Sequence, residues 1–337
     1  MAAITVMNNR LDTCVLCFDT YYLATNNEKP TTNSDMKKVV CFGEILWDVL
    51  IDGKKPGGAP MNVAYHLNRL GIKSYMVSKV GNDSLGEELR SFLERMGLST
   101  QHIQVDDVYS TSEVIATMGE NHEMSYEIVQ PVAWDFIKYN TETVSLIESA
   151  DLMVFGSLVA RNEVTRRTLY ELIDHAKLKL FDVNFRAPYY TKSTIDYLLT
   201  KADIVKLNNH ELQIIGEWLG EKTGREQEGV NLLQEKYQIE EIIVTKGGDG
   251  ASYYTVTERH DYKAYPVTVR DTVGSGDSFL AAFVAQKLKG QSVDDMLDYA
   301  AALGAYVTSQ SGANPDYKAS DLDRFIWEKQ LERVKWK

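Results

Sequence analysis

The stretch DTVGSGDSF, Asp271–Phe279, leads directly into the apolar run LAAFVAQKL, and together they predict a glycine turn that opens a helix. The backbone N–H groups of Gly274, Ser275 and Gly276 would lie at the N-terminus of that helix. Such groups have no intrahelical partner, and the helix macrodipole adds partial positive charge to them. The sequence therefore predicts an anion hole that suits a phosphate group.

Asp277, in the first turn of the same helix, has two interpretations. An acid at a helix N-terminus commonly acts as a cap. An acid beside an anion hole can instead be a general base, which takes a proton from a substrate hydroxyl while the neighbouring amides hold a transferring phosphoryl group. The second interpretation predicts a catalytic site made of Asp277 and the three residues before it.

The composition is that of a globular protein of 337 residues, with 44% hydrophobic and 25% charged residues. The net charge of −12 predicts no nucleic-acid partner and no anionic-membrane partner, although backbone dipoles can still bind small anions. The sequence shows no apolar run long enough to cross a bilayer and no signal-peptide pattern. We therefore expect a cytoplasmic protein.

Short runs rich in apolar β-branched residues alternate with longer helical patterns along the chain. The run KVVCFGEILWDVL is expected to be the first strand. Runs such as DLMVFGS and EIIVTKG are almost wholly apolar, as strands are when helices cover both faces of a parallel sheet. We therefore expect an α/β fold with a doubly wound, mostly parallel sheet. This domain is expected over residues 36–337, after a weakly ordered extension over residues 1–35 that ends in a polar Asn/Thr/Pro stretch.

The segment Ser110–Gln130 departs from this alternation. Two β-rich runs flank the sequence GENHE, and this arrangement predicts a hairpin. A hairpin inserted into an α/β domain can serve as a lid or as an interface. It can equally extend the main sheet, and the pattern alone does not separate these possibilities.

Standard phosphate-binding fingerprints are missing from the sequence. It contains no G-x-x-x-x-G-K-[ST] loop and no G-x-G-x-x-G after the first strand. The missing dinucleotide fingerprint argues against an NAD-dependent oxidoreductase. The turn before Asp277 remains as a candidate phosphate site.

A second glycine turn, in GGAPMNVAYHLNRLG, precedes a predicted helix near the other end of the domain. Gly58 would let the backbone approach a ligand closely, and Asn62 supplies both donors and acceptors, which suits a polyol. An ordinary strand-to-helix turn explains the same pattern. Asp48, near the end of the first strand, could accept two sugar hydroxyls, because ligands bind beyond the carboxyl ends of parallel strands, or it could be a solvated acid.

Three further polar segments follow predicted strands. DVNFRAP places Asp182, Asn184 and Arg186 on alternate residues, hence on one face of a strand that ends beside a site. In KLNNHEL, Asn208 and Glu211 share a face at the entry of a helix, where Glu211 could stabilise the helix start or hold water around Mg²⁺. The last segment is either a hairpin turn or a nucleotide-phosphate loop, and it comprises Thr245, Lys246, Gly247, Gly248, Asp249 and Gly250.

Four of these segments resemble the motifs of one enzyme family and occur along the chain in the order that the family has. DTVGSGDSF is similar to the D-T-x-G-[AS]-G-D signature of the ribokinase-like (pfkB) carbohydrate kinases, and GGAPMNVAYHLNRLG to their N-terminal glycine-rich signature. KLNNHEL matches their N-x-x-E motif, and VTKGGDGA their nucleotide-site turn. FGEILWDVL, GGAPMNVA and FDVNFRAP look most like the fructokinase branch, and the resemblance runs from about Lys37 to the C-terminus.

The resemblance implies a sugar kinase that uses ATP and Mg²⁺. It also implies a small β lid, for which the Ser110–Gln130 hairpin is the candidate, and a homodimer could form through this lid. It implies that Asp277 is the catalytic base and that the amides of Gly274, Ser275 and Gly276 stabilise the γ-phosphoryl group. By the same resemblance, the sugar would bind to Asp48, Gly58 and Asn62. ATP would bind to Asn208 and the Thr245–Gly250 turn, and Glu211 would organise Mg²⁺. Asp271 and the Val273 carbonyl would bind a monovalent cation such as K⁺.

One departure from the family pattern bears on the substrate. Ribokinases place an acid after the strand that corresponds to DLMVFGSLVAR, whereas this chain has Ser157 and Arg161 there. This difference favours a hexose such as fructose over ribose, and D-fructose to fructose 6-phosphate is the expected reaction. Arg161 could also favour a carboxylated sugar, so a 2-keto-3-deoxygluconate kinase is one alternative and a ribokinase is another. Arg186 is a further candidate sugar contact. A non-catalytic sugar sensor with the same fold is an alternative from another class.

Overall fold

The computed structural model describes residues 36–50, 53–118, 124–220 and 224–335. The predicted extension, residues 1–35, and the GENHE turn, residues 119–123, lie outside the described residues. One compact unit, Lys37–Asp316, carries the candidate site, and the helix Ala319–Lys335 belongs to a second unit. Within the described residues, none of the helices is long and apolar enough to cross a membrane.

A large parallel sheet organises the first unit. Its described residues form thirteen strands, numbered β1 to β13: Lys38–Phe42, Leu46–Leu50, Gly53–Gly57, Lys73–Gly81, Ile103–Asp106, Ser112–Met118, Met124–Ile128, Leu152–Gly156, Lys179–Asp182, Ile204–Asn208, Glu241–Thr245, Ala251–Tyr254 and Arg259–Tyr262. Nine strands pair in the order β13-β12-β11-β10-β9-β8-β1-β4-β5. All neighbours from β5 to β11 in this order are parallel, and only β12 and β13 at one edge are antiparallel. This sheet confirms the predicted fold class.

Helices cover both faces of this sheet. The helices of the first unit, within the described residues, are numbered α1 to α9: Ala59–Arg69, Ser84–Arg95, Thr141–Ser149, Glu163–Ile173, Lys192–Lys201, Asn209–Trp218, Glu226–Tyr237, Ser275–Leu288 and Val293–Thr308. The helix of the second unit, Ala319–Lys335, is α10. Val40 and Phe42 of β1 pack into the apolar cluster that includes residues of α3 to α7. Because side chains alternate along a strand, Val39 and Cys41 face the opposite side, where α1 lies against β1 and packs with α8.

The carboxyl ends of the parallel strands bring the polar segments to one edge of the sheet. Asp182 is the last residue of β9, Asn208 the last of β10 and Thr245 the last of β11. The strand order also reverses at β1, because β4 lies on one side of β1 and β8 on the other. Ligand sites of open α/β sheets lie at such a reversal, beyond the carboxyl ends of the strands.

A second, four-stranded sheet has the order β3-β2-β6-β7. The predicted Ser110–Gln130 hairpin supplies β6 and β7, which pair antiparallel, and β2 pairs parallel with β6. The hairpin therefore does not extend the main sheet. It forms part of a separate small sheet, which is what a lid would require. The other half of this sheet comes from β2 and β3, a contribution that the hairpin pattern did not predict.

The run KVVCFGEILWDVL was expected to be one strand, and this prediction is wrong. It divides into β1 of the large sheet and β2 of the small sheet, with Gly43 at the point of division. Gly43 has a φ of 154°, and a Cβ there would lie 2.6 Å from Pro60 Cγ, so the chain can pass this helix start only with glycine. Asp48 consequently lies within the small sheet, paired with Lys55 and Val114, and not at the end of a central strand.

The DVNFRAP segment also differs from its predicted strand geometry. β9 ends at Asp182, and Asn184 adopts a left-handed φ of 38° that turns the chain away from the sheet. Arg186 therefore lies in an exposed loop and not on the same strand face as Asp182. The expectation that the strand would end beside a site is consistent with the position of Asp182 at the carboxyl edge.

Candidate active site

The turn before α8 has the geometry of an anion-binding loop. Gly274 is the N-cap residue, with a left-handed φ of 75°, and a Cβ there would lie 2.5 Å from the Cβ of Ala313. Only glycine fits this position without moving the loop. The turn presents the first amides of a 14-residue helix, which have no intrahelical acceptors, although the Ser275 N–H donates weakly to the Thr272 carbonyl at 3.3 Å.

Asp277 is buried and faces α1, not the end of its own helix. Its Oδ2 accepts a hydrogen bond of 2.7 Å from Asn62 Nδ2, and the described contacts include no bond from Asp277 to a helix N-terminal amide. The capping interpretation is therefore not supported. Burial raises the pKa of Asp277, and the carboxylate of Asp182 raises it further, while Lys206, Asn62 and Arg186 oppose this increase.

Asn62 is oriented by contacts on both sides of its amide. While its Nδ2 donates to Asp277, its Oδ1 accepts from Asn314 Nδ2 at 2.8 Å. Asn314 also directs a buried Oδ1 into this region, and the described residues offer that oxygen no hydrogen-bond donor. Asn314, in the sequence GANPD, was missed because an asparagine in a C-terminal loop gives no signal by itself.

The second glycine turn lies against Asp48 and Glu44. A Cβ on Gly58, whose φ is 111°, would lie 2.5 Å from the Glu44 carbonyl oxygen, and one on Gly57 would lie 2.3 Å from Asp48 Oδ2. Burial raises the pKa of Asp48 to about 6, and the charges of Arg186, Asp277 and Asp271 act on it. Asp48 is therefore within electrostatic range of Asp277 and Arg186, and its sugar-binding role stays a prediction.

Glu44 is a buried acid that the sequence interpretation did not assign. Its side chain belongs to a residue only 4% exposed, and its Oε2 has no hydrogen-bond partner among the described residues. Burial raises the pKa of Glu44 to about 7, Arg186 lowers it and Asp277 raises it. The sequence FGEIL does place an acid among apolar residues, which could have identified Glu44. Glu44 was overlooked because this segment was expected to be part of a single strand.

Asn208 and Glu211 form a reciprocal cap at the start of α6. Asn208 Oδ1 accepts from the Glu211 N–H at 3.0 Å, and Glu211 Oε2 accepts from the Asn208 N–H at 2.8 Å. Glu211 Oε1 also accepts from the Phe185 N–H at 2.8 Å, and burial raises the pKa of Glu211. The helix-stabilising interpretation of Glu211 is therefore confirmed, and each carboxylate oxygen keeps a further lone pair for a water molecule.

The Thr245–Gly250 turn joins the antiparallel strands β11 and β12, so it is a hairpin turn. Its central residues Gly247, Gly248 and Asp249 are exposed and form a short 3₁₀ turn. Lys246 is directed away from them, because its Nζ contacts Glu226 Oε2 at 3.1 Å and Ser252 Oγ. A nucleotide role for the exposed glycines remains a prediction.

Arg161 was expected to contact the sugar, but its guanidinium contacts protein groups. It forms hydrogen bonds of 2.7 and 2.8 Å with the two carboxylate oxygens of Asp135, and it donates to the Val129 carbonyl. It also lies 4.0 Å from the ring centroid of Trp134. Its hydrogen bonds use Nε and Nη2, whereas Nη1 is buried without a hydrogen-bond partner among the described residues, so the sugar role of Arg161 stays a prediction. Ser157 is likewise buried, and its Oγ lies 3.4 Å from the Asn184 carbonyl.

Asp271 braces the loop that precedes the anion hole. Its Oδ1 accepts from the Val273 N–H at 3.0 Å, and its Oδ2 accepts from the Gly312 N–H at 2.9 Å. These bonds fix the loop between two chain segments. Each oxygen can still offer a lone pair, so the predicted cation role of Asp271 and the Val273 carbonyl stays a prediction.

A buried acid directly after a glycine turn at a helix start is the arrangement that the resemblance to the ribokinase-like carbohydrate kinases led us to expect. The sequence profile described as "pfkB family carbohydrate kinase" matches residues 36–319. The chain belongs to the pfkB family of carbohydrate kinases, and it is thus a phosphotransferase that acts on a sugar hydroxyl.

Similar proteins include several fructokinases. "Probable fructokinase-3" of Arabidopsis thaliana is 30% identical over 308 residues, which cover 82% of this chain and 87% of that protein. The structure of a Vibrio cholerae O395 fructokinase with fructose, ADP and calcium is 26% identical, with a TM-score of 0.75 over 87% of this chain and 99% of that one. A double mutant of that enzyme with fructose, ADP and potassium is 25% identical, with a TM-score of 0.75 over 86% and 98% of the two chains.

Proposed function

We propose that this chain is a fructokinase, which transfers the γ-phosphoryl group of ATP to the 6-hydroxyl of D-fructose. The observation that carries the proposal is the buried Asp277 carboxylate, held by Asn62 at 2.7 Å directly after the glycine turn of α8. Its relatives support fructose as the sugar, since they include a probable fructokinase of a plant and a bacterial fructokinase with bound fructose.

In the proposed reaction, Asp277 takes the proton from the sugar hydroxyl. The hydroxyl oxygen forms a bond to the γ-phosphorus, and the bond from that phosphorus to the β-phosphate oxygen breaks to release ADP. The amides of Gly274, Ser275 and Gly276 face the charge on the transferring group. Burial raises the pKa of Asp277, so the carboxylate is a stronger base than an exposed aspartate.

The sugar is held, in this proposal, between the two glycine turns. The Asp48 carboxylate lies against Gly57, and a carboxylate can accept two sugar hydroxyls. Gly58 lets the chain pass close to the Glu44 carbonyl, Asn62 fixes Asp277, and Arg186 places a positive charge near both acids. These four positions supply the donors and acceptors that a polyol requires.

ATP is proposed to bind at Asn208 and the Thr245–Gly250 turn, next to β10 and β11. Glu211 fits an Mg²⁺ ion held through water, because both its oxygens are already oriented by backbone N–H groups and each keeps a lone pair. When bound with ATP, the ion would neutralise phosphate charge. Asp271 and the Val273 carbonyl are the proposed ligands of a monovalent cation, which the potassium-bound relative supports.

The test of the base is the pair of variants Asp277→Ala and Asp277→Asn. Loss of a general base lowers kcat by about 10²–10⁴-fold, and the isosteric Asn should be as impaired as Ala although it keeps the shape of the site. Binding of sugar and ATP, measured by calorimetry, should change far less than kcat. Turnover within tenfold of wild type would overturn the mechanism, and a wild-type chain that binds sugar without turnover would instead be a sugar sensor.

A carboxylated sugar is the second candidate substrate. Arg186 is exposed and acts on the charges of Glu44, Asp48 and Asp277, so it is placed to pair with a substrate carboxylate. A coupled assay across fructose, ribose, adenosine and 2-keto-3-deoxygluconate separates these reactions. If the keto acid is phosphorylated while fructose is inert, the fructokinase assignment is wrong and the kinase mechanism stands.

We further propose a cytoplasmic homodimer that forms through the small sheet. Ile115 of β6, in that sheet, is 41% exposed, an apolar surface that a second copy could cover. Light scattering of wild type and Ile115→Glu tests the dimer, which the charged variant should weaken. Cell fractionation tests the compartment.

A further inference from the structure

Lys206 is a buried cation on β10, whose other buried residues are all apolar. Its side chain is 8% exposed, and its neighbours Val205 and Leu207 point into the apolar cluster on the other face of the sheet. Lys206 therefore points to the face on which α1 and α8 lie. The Nζ donates to Asp182 Oδ1 at 2.8 Å, and Asp182 is its direct neighbour in the β9–β10 register.

The ammonium group of Lys206 lies at the mouth of the anion hole. A Cβ built on Gly276, the second residue of α8, would be 3.4 Å from Lys206 Nζ and 3.8 Å from its Cε. An ammonium has three N–H donors, and the described residues supply one hydrogen-bond acceptor, Asp182. Two donors therefore remain for a group that enters beside Gly276.

The charge state of Lys206 suits this role. Burial lowers the pKa of Lys206, but the carboxylates of Asp182, Asp277 and Glu211 outweigh burial and raise it above the ordinary value for lysine. The group therefore keeps its proton near neutral pH. Asp182 Oδ2 is buried without a hydrogen-bond partner in the described part of the chain, so the bond from Lys206 to Oδ1 is the one side-chain hydrogen bond that Asp182 makes there.

We propose that Lys206 is a catalytic residue whose Nζ donates hydrogen bonds to the phosphoryl group as it passes from ATP to the sugar, and that Asp182 is the residue that positions it. This inference rests on the proposed function. The sugar oxygen gains the bond to phosphorus, ADP leaves with the electrons of the broken bond, and the hydroxyl proton goes to Asp277. Lys206 keeps its proton throughout and acts through its positive charge and its hydrogen bonds.

A purely structural role is the competing explanation, and a matched control separates the two. Lys79 forms a comparable buried pair with Asp106, with side chains 4% and 10% exposed, and its Nζ also donates to the Phe136 carbonyl. Lys79→Met removes a buried cation away from the glycine turns. Lys206→Met removes the cation beside Gly276.

The experiment measures kcat, the KM for ATP and for fructose, and thermal stability for Lys206→Met, Lys206→Gln and Lys79→Met. Glutamine is included because it can still donate to Asp182 and so protects against a misfolded variant. Both Lys206 variants should lose about 10²–10³-fold in kcat, the usual cost of one transition-state donor. Lys79→Met should lose stability but keep kcat within threefold of wild type.

A second measurement uses ADP with aluminium fluoride and fructose, which together mimic the transferring phosphoryl group. Lys206→Gln should weaken this complex about 10²-fold and change the affinity for ADP alone by less than threefold. A folded Lys206→Gln variant with wild-type kcat and wild-type affinity for the mimic would overturn the inference. Absence of wild-type turnover on every sugar tested would count against the proposed function and not against Lys206 specifically.

Discussion

Replacement of Gly274 by alanine tests how closely the anion hole depends on one backbone position. The left-handed φ of 75° costs a residue with a Cβ about 1–2 kcal/mol. The new Cβ would lie 2.5 Å from Ala313 Cβ, whereas ordinary van der Waals contact begins at 3.4 Å, so the atoms must separate by 0.9 Å. The turn that carries the first amides of α8 must absorb most of this displacement.

The expected catalytic loss follows from that displacement. A misplacement of about 1 Å at a reacting centre can cost about 10²-fold, which corresponds to about 2.7 kcal/mol in activation free energy. We expect Gly274→Ala to lower kcat by about this factor. The KM for fructose should change less than kcat, because Asp48 lies in the small sheet, paired with Lys55 and Val114, and not in this turn.

Gly290 provides the matched control. It has nearly the same left-handed φ of 72°, at the other end of α8, and a Cβ there would meet no atom within 4 Å. Gly290→Ala should therefore lower the melting temperature by the cost of the backbone conformation and leave kcat unchanged. The steady-state assay and thermal melts are run on both variants. If both lose stability equally and Gly274→Ala retains kcat within threefold, the proposed anion hole is refuted.

Three further outcomes are expected. Asn62→Leu removes the hydrogen bond that lowers the pKa of Asp277, so the acid limb of the kcat/KM profile should move to higher pH; an unchanged limb would contradict this link. Burial lowers the pKa of His66 from 6.5 to about 4, so the wild-type protein should lose stability relative to His66→Gln as the pH falls from 6.5 to 4. Denaturant melts measure this difference, and the same pH dependence of stability in both proteins would contradict the prediction. Arg161→Met should destabilise the fold by about 3–5 kcal/mol because Asp135 is left buried without its cation, while the KM for fructose holds; a raised KM in a stable variant would place Arg161 in the sugar site.

The sequence was most informative where a pattern is local. Apolar runs predicted the parallel strands, since strands covered on both faces need no polar residues, and glycines before an apolar run predicted the turn of α8. Asn208 and Glu211, three residues apart, form the expected helix start. In each of these cases the interacting groups lie within a few residues of one another.

Interactions between distant segments could not be predicted. The pairing of Asp182 with Lys206 depends on the register of two strands, and that of Arg161 with Asp135 spans 26 residues. Because neither partner identifies the other in a single sequence, Lys206 and the pairing of Arg161 with Asp135 were overlooked. The division between β1 and β2 was missed for a similar reason, since the close approach of Pro60 to Gly43 is a tertiary contact.

The bond between Asn62 and Asp277 has a consequence for the biosynthesis of the protein. These two residues are 215 positions apart, and Asn314, which orients Asn62, is 252 positions away from it. A ribosome must therefore complete nearly the whole Lys37–Asp316 unit before the site can form. A chain that stops short of Asn314 would contain the glycine turns and the base, yet its Asn62 would lack the partner that sets its direction.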